Sequence, residues 1–102
     1  MKTYTVVITA TAMEDIKNIY YYIRTTLNAP IAAQKQYKHI TESIQSLSTF
    51  PERIKPISSA NSYGLLLRRI ISNNYSIFFV IHDSQVEIIR VLYSASDISH
   101  KL

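Results

Sequence analysis

The stretch Gly64-Leu-Leu-Leu-Arg-Arg-Ile-Ile71, then Asn73-Asn74, then Tyr75-Ser-Ile-Phe-Phe-Val-Ile81, then His82-Asp-Ser-Gln85, then Val86-Glu-Ile-Ile-Arg-Val-Leu-Tyr93 reads as three strands in succession. Each run is rich in β-branched and aromatic residues and is bounded by polar turn residues. Asn73-Asn74 suits a type I′ hairpin, because Asn tolerates positive φ. His82 to Gln85 make the second turn, with Asp83 shaping it. Connections this short join neighbouring antiparallel strands. The meander carries Arg68, Arg69 and Arg90, and cations on a small sheet suggest an anionic or nucleic-acid-related target.

Upstream of the meander the period changes. Residues 3 to 9, Thr-Tyr-Thr-Val-Val-Ile-Thr, read as a first strand. Thr11-Ala-Met-Glu14 fits a capping box, and a helix is expected from there to about Leu27. Met13, Ile16, Tyr20, Ile23 and Leu27 recur at steps of three and four and share one face, which Ile19 widens. Pro30 suits the first turn of a second helix. Its stripe is Ala33, Tyr37, Ile40, Ile44 and Leu47, and Phe50-Pro51 ends it. The short break at Asn28-Ala29 makes the two helices an antiparallel hairpin. Residues 51 to 63 read as a loop, and the polar tail after Tyr93 as weakly ordered.

The expected fold class is therefore α+β, in the order β-α-α-β-β-β. A helical hairpin packs on one face of a small antiparallel sheet, because neither helix buries its stripe alone. The other face of the sheet is expected to be open for function or a partner. No repeat and no linker divides residues 1 to 102, so a single domain is expected.

Composition narrows the classes. At 102 residues with a 47% hydrophobic share, the chain suits a packed globule rather than a disordered one. It has no cysteine, which excludes a disulfide scaffold and a Cys-based zinc site. No apolar run approaches the ~20 residues of a membrane span, and Met1-Lys2-Thr3 opens no secretory signal. A cytoplasmic location without membrane contact is the expectation. The net charge of +4 favours an acidic partner. His39, His82 and His100 are too scattered for a metal site, and the single glycine, Gly64, leaves no nucleotide-binding loop. Neither a metal nor another cofactor is expected.

Several pieces taken in order carry a family likeness. They are Ala12-Met-Glu-Asp-Ile16 and Ile19-Tyr-Tyr-Tyr-Ile23 in the first helix, then Ala32-Ala33 and Leu47-Ser-Thr-Phe-Pro51 in the second. Leu67-Arg-Arg69, Tyr75-Ser-Ile-Phe-Phe79, Val86 to Tyr93 and Asp97 complete the set. Together they resemble the RelE/ParE superfamily of toxins from bacterial type II toxin–antitoxin systems, over nearly the whole chain. The resemblance implies a toxin neutralised by a cognate antitoxin, acidic and partly disordered, that wraps it. It implies a homodimer or a hetero-oligomer with that antitoxin. RelE-like members cut mRNA on the ribosome, using basic residues rather than a metal to stabilise the transferring phosphate. ParE-like members inhibit DNA gyrase and need no catalysis.

Residue by residue, the RNase alternative would rest on Arg69, Arg90 and Tyr93 as catalytic groups, with Lys55 or Arg53 supplied from the loop. Leu67 stands where the RelE pattern has a cation, Ser76 stands where both types carry an arginine, and Ser94-Ala95-Ser96 replaces a common basic string. One lost stabilising donor can lower a rate ~10²–10³-fold, so these departures favour ParE-like gyrase inhibition. A remnant that only binds its antitoxin is the third reading. Apart from the resemblance, Arg68 and Arg69 are adjacent in a strand and face opposite sides. Arg90 suits a cross-strand pair, and Tyr93 suits packing or antitoxin contact. Tyr21 and Tyr22 are candidates for a protein interface.

Overall fold

The computed structural model describes residues 2–60 and 64–94. Strand β1 (Thr5–Ile8) leads into helix α1 (Ala10–Tyr21), a π-helical turn (Tyr22–Thr26) and helix α2 (Pro30–Gln45). Two 3₁₀ turns, Ser46–Ser48 and Pro51–Arg53, precede β2 (Pro56–Ala60), β3 (Leu66–Ser72), β4 (Tyr75–His82) and β5 (Gln85–Tyr93). The five strands form one sheet in the order β1-β5-β4-β3-β2. Strands β2 to β5 are antiparallel, and β1 lies parallel to β5 at the edge. Both helices pack on one face of this mostly antiparallel α+β sheet.

The expected helix stripes hold in part. Ile16 and Ile23 of the first stripe are buried, as are Ala33, Ile40, Ile44 and Leu47 of the second. Ile16, Ile40, Ile44 and Leu47 cluster with Ile77, Phe79, Val86, Ile88 and Val91 of the sheet. Met13, Leu27 and Tyr37 are exposed instead. The helix phase explains Met13: the residue that lies flat against the core is Ala12, fully buried, and its small side chain permits a close approach.

The cap that sets this phase is Thr9 rather than Thr11. Thr9 has extended backbone, and its Oγ1 accepts the Ala12 N–H at 3.1 Å. The pairing of β1 with β5 runs through Ile8 opposite Ile88. Thr9 is thus the first residue off the strand, and it is where the chain turns into the helix. At the other end the Leu27 N–H reaches the Tyr22 carbonyl at 3.1 Å, five residues back. Asn28 then takes positive φ, and the Ala29 N–H closes on Ile23 at 3.0 Å, so a left-handed residue ends the π turn much as one ends many α-helices.

Residues 51 to 63 are not wholly the expected loop. Pro56–Ala60 adds a fifth strand beside β3, with Pro56 opposite Arg68, Ala60 opposite Leu66, and an irregularity between. A proline and few β-branched residues hide such a strand locally, and its partner imposes it. The expectation of an open second sheet face also needs correction. Ser76, Phe78 and Val80 alternate with the core-facing residues of β4 yet are buried too. Strand β4 is central and covered on both sides, whereas Arg69 and Ile71 of β3 remain exposed on that outer face. The tail after Ser94 and residues 61–63 lie outside the described residues.

Candidate functional site: a groove at the end of the last strand

Strand β1 stops beside Ile88, and β5 runs on to Tyr93. Beyond Ile88, β5 therefore has no strand on its outer side among the described residues. Its register against β4 passes from Phe79 opposite Ile88 to Phe78 opposite Arg90, skipping Ile89 in a β-bulge. The bulge re-aims the side chains of the last turnward residues, Arg90 to Tyr93. Asp15 of α1 reaches the strand there: its Oδ2 accepts the Val91 N–H at 3.0 Å and the Arg90 Nε–H at 2.7 Å. Its Oδ1 accepts from Arg90 Nη2 at 2.9 Å. The carboxylate thus satisfies an edge amide that β1 is too short to pair, and it neutralises Arg90. The two side chains are 11% and 21% exposed, and the hydrogen bonds raise the Arg90 pKa above its ordinary value.

Next to this pair lies a groove of about 620 Å³ between the first helix with its π turn and the end of β5. Tyr22, Leu27, Tyr75 and Tyr93 supply most of its aromatic and aliphatic surface, with Asn18 and Asn74 at its margins. The π turn carries Tyr22 and Leu27 into this wall, a common use of such turns. Tyr75 and Tyr93 face each other across the strands, edge to face at 5.9 Å. Burial, then the nearby Tyr22 and Tyr93 phenols, raises the Tyr75 pKa, so this hydroxyl keeps its proton at neutral pH. Along β5 the Tyr93 N–H points to the same side as that of Val91, toward the groove.

Of the three residues an RNase would use, the structure brings Arg90 and Tyr93 to the same groove and leaves Arg69 outside it. Arg69 and Arg90 both stand opposite Phe78, on the strands either side of it. Arg90 pairs with Asp15 of the first helix. Tyr93 pairs with Tyr75, whose ring packs on the helix-side core, whereas Arg69 follows Phe78 on the opposite face. Arg69 has no hydrogen-bond or ion-pair partner among the described residues. Arg68 turns to the helix side and donates to the Ile54 carbonyl, so the two adjacent arginines do face opposite ways. Arg53 caps its own turn, donating to the Thr49 and Phe50 carbonyls at 2.7 and 2.9 Å. Among the described residues no three His, Cys, Asp or Glu side chains gather for a metal, and no helix is long and apolar enough to cross a membrane.

Residues 6–98 match the family described as the ParE toxin of the type II toxin–antitoxin system, parDE. The chain belongs to the ParE toxin family. A chain of the chromosomal ParDE system of P. aeruginosa shares the fold, with a TM-score of 0.72 at 20% identity over 89% of this chain and 96% of that one. The archaeal RelE–RelB complex from Pyrococcus horikoshii OT3 gives 0.62 at 18% identity over 93% and 99%. The RelBE2 toxin–antitoxin complex of Mycobacterium tuberculosis gives 0.57 at 24% over 94% and 97%. No curated protein sequence matches the chain. The ParE-family toxin is thus similar in fold to solved members of both the ParDE and the RelBE systems.

Asp15 and Tyr75 are groove residues that sequence reasoning did not assign to a site, whereas Tyr22 was a candidate for a protein interface. The available signal was an acid beside core residue Ile16 together with an arginine in an apolar strand. Nothing local sets the register that joins them.

Proposed function

We propose that this ParE-family toxin arrests growth by binding DNA gyrase rather than by cutting RNA, and that a cognate antitoxin neutralises it through the groove beside Tyr93. The observation that carries the reading is the Asp15–Arg90 pair. It removes one of the three groups an RNase would use, and the other two lie on opposite faces of the sheet. A transferring phosphate needs several donors converging on one point. Binding a protein target makes no such demand.

The groove suits an antitoxin segment for two reasons. Its walls are aromatic and aliphatic, and the Tyr93 amide at the strand edge can pair with an added extended chain. A basic toxin attracts an acidic partner at long range.

The test is induction without antitoxin, with pulse labelling of DNA and protein synthesis, followed by supercoiling assays with purified gyrase. DNA synthesis stopping first, with gyrase inhibited in vitro, is the expected result. Early loss of protein synthesis, abolished by Arg69→Ala, would establish the ribosome-dependent RNase instead. No effect on growth would leave an antitoxin-binding remnant.

A further inference from the structure

Among the described residues, four that are not glycine adopt positive φ: Asn28, Phe50, Asn73 and Asp83. Three are of the kind that tolerates this region at low cost. Phe50 is bulky, sits at φ 44° and ψ 55°, and is followed by a proline that disfavours helical geometry before it. Burial does not compensate, because Phe50 is 62% exposed. An outlier of this sort persists only where its surroundings over-determine it, and it points to function.

The surroundings here are specific. The Arg53 N–H and Nη1 both donate to the Phe50 carbonyl, at 3.2 and 2.9 Å, and Nη1 also holds Thr49 at 2.7 Å. Pro51 is buried behind the turn. Thr49 bridges to Thr3, the Tyr4 N–H reaches Ser48 at 2.7 Å, and the Tyr4 hydroxyl donates to Glu52. The segment is pinned on both sides of Phe50 while the ring stands in solvent.

We infer that Phe50 is a preformed anchor that inserts into an apolar, acid-rimmed pocket of a folded protein, the target through which the toxin arrests growth. The charge follows from the segment: Arg53, bonded to the Phe50 carbonyl, and Lys55, five residues after the ring, are exposed, Lys2 lies near enough to Glu52 to act on its charge, and Glu52, the acid of the turn, is bonded to Tyr4. A rigid, projecting ring needs a pocket already formed, which a folded partner has and a wrapping disordered segment lacks. The position also separates the two partners. Thr49 bridges to Thr3, just ahead of β1, and Thr5 of β1 stands opposite Gln85, whereas the groove is lined by Arg90 to Tyr93, five to eight residues farther along β5 and so roughly 16–26 Å from Gln85.

The inference rests on the growth-arrest reading and is tested with the full chain. Phe50→Asn places at this position the residue type the chain uses at Asn28 and Asn73, and Phe50→Tyr keeps the ring. Thermal melting, colony survival after induction and affinity for the cognate antitoxin are measured for each. The expected result is that Phe50→Asn melts a few degrees higher, roughly 2–5 °C, loses at least tenfold of the killing, and binds antitoxin within about twofold of wild type. Phe50→Tyr retains killing. Full killing by Phe50→Asn overturns the proposal, as does a lower melting temperature, which would make the ring a structural element. Lost antitoxin affinity would reassign the surface to the antitoxin and overturn it too. If wild-type toxin does not arrest growth, the functional reading fails along with it; if wild type kills and Phe50→Asn kills equally, only the anchor fails.

Discussion

Asp15 grips Arg90 through two hydrogen bonds of 2.7 and 2.9 Å while its Oδ2 also accepts the Val91 amide. One carboxylate on the first helix thereby fixes the bulge of the last strand, the charge of an arginine and the floor of the groove. Removing it leaves a half-desolvated guanidinium and an unsatisfied amide. Asp15→Ala is expected to destabilise the fold by about 2–4 kcal/mol, below the full cost of breaking a deeply buried pair because both groups keep some solvent. Urea denaturation measures this. A double-mutant cycle with Arg90→Met should give a coupling above about 1 kcal/mol; additivity would mean the pair is incidental.

The two threonines at the start of the first helix should behave differently. Thr9→Ala is expected to cost about 1 kcal/mol, since it removes the acceptor of the Ala12 amide. Thr11→Ala, inside the helix and exposed, should change stability by no more than ~0.5 kcal/mol. Equal losses at both positions would contradict the observed cap.

The Tyr4–Glu52 bond has a defined pH signature. The bond lowers the Glu52 pKa and raises that of Tyr4. For Glu52 the folded value lies below the unfolded one, so its contribution is full above the ordinary carboxylate range near ~4.3 and is lost as pH falls through the lower folded value. For Tyr4 the folded value lies above the unfolded one. Its contribution is full below ~10 and is lost as pH rises through the higher folded value. Tyr4→Phe should therefore lower the urea midpoint at neutral pH, with the difference from wild type shrinking at both extremes. A difference constant from acid to alkali would show that the bond contributes nothing.

Tyr93→Ala and Leu27→Ser truncate exposed walls of the groove and should leave the melting temperature within a few degrees of wild type. They are expected to weaken antitoxin binding about tenfold or more, the loss typical of aromatic and aliphatic anchors at an interface. Calorimetric titration with the cognate antitoxin checks this. Unchanged affinity in both variants would move the antitoxin to another surface.

The second helix was legible because Ala33, Ile40, Ile44 and Leu47 form a stripe that needs no distant information. The meander was legible for the same reason: two short turns fix its pairing. What escaped depends on partners far along the chain. The strand Pro56–Ala60 exists because β3 is beside it. The cap moved to Thr9 because β5 decides where β1 ends. Arg90 looked like a cross-strand residue, and only the packing of the first helix supplies Asp15, 75 residues earlier. The site reading suffered most, because faces and neighbours across a sheet depend on register, and the bulge at Ile89 shifts it.

The parallel alliance of β1 with β5 joins residues 5–8 to residues 85–88, the first strand of the sheet to the last. A nascent chain interrupted before Gln85 has synthesised the first strand but not its neighbour, and it lacks both Arg90 and the far wall of the groove. Residues 85–93 thus complete the paired edge of the sheet and the groove wall in one step.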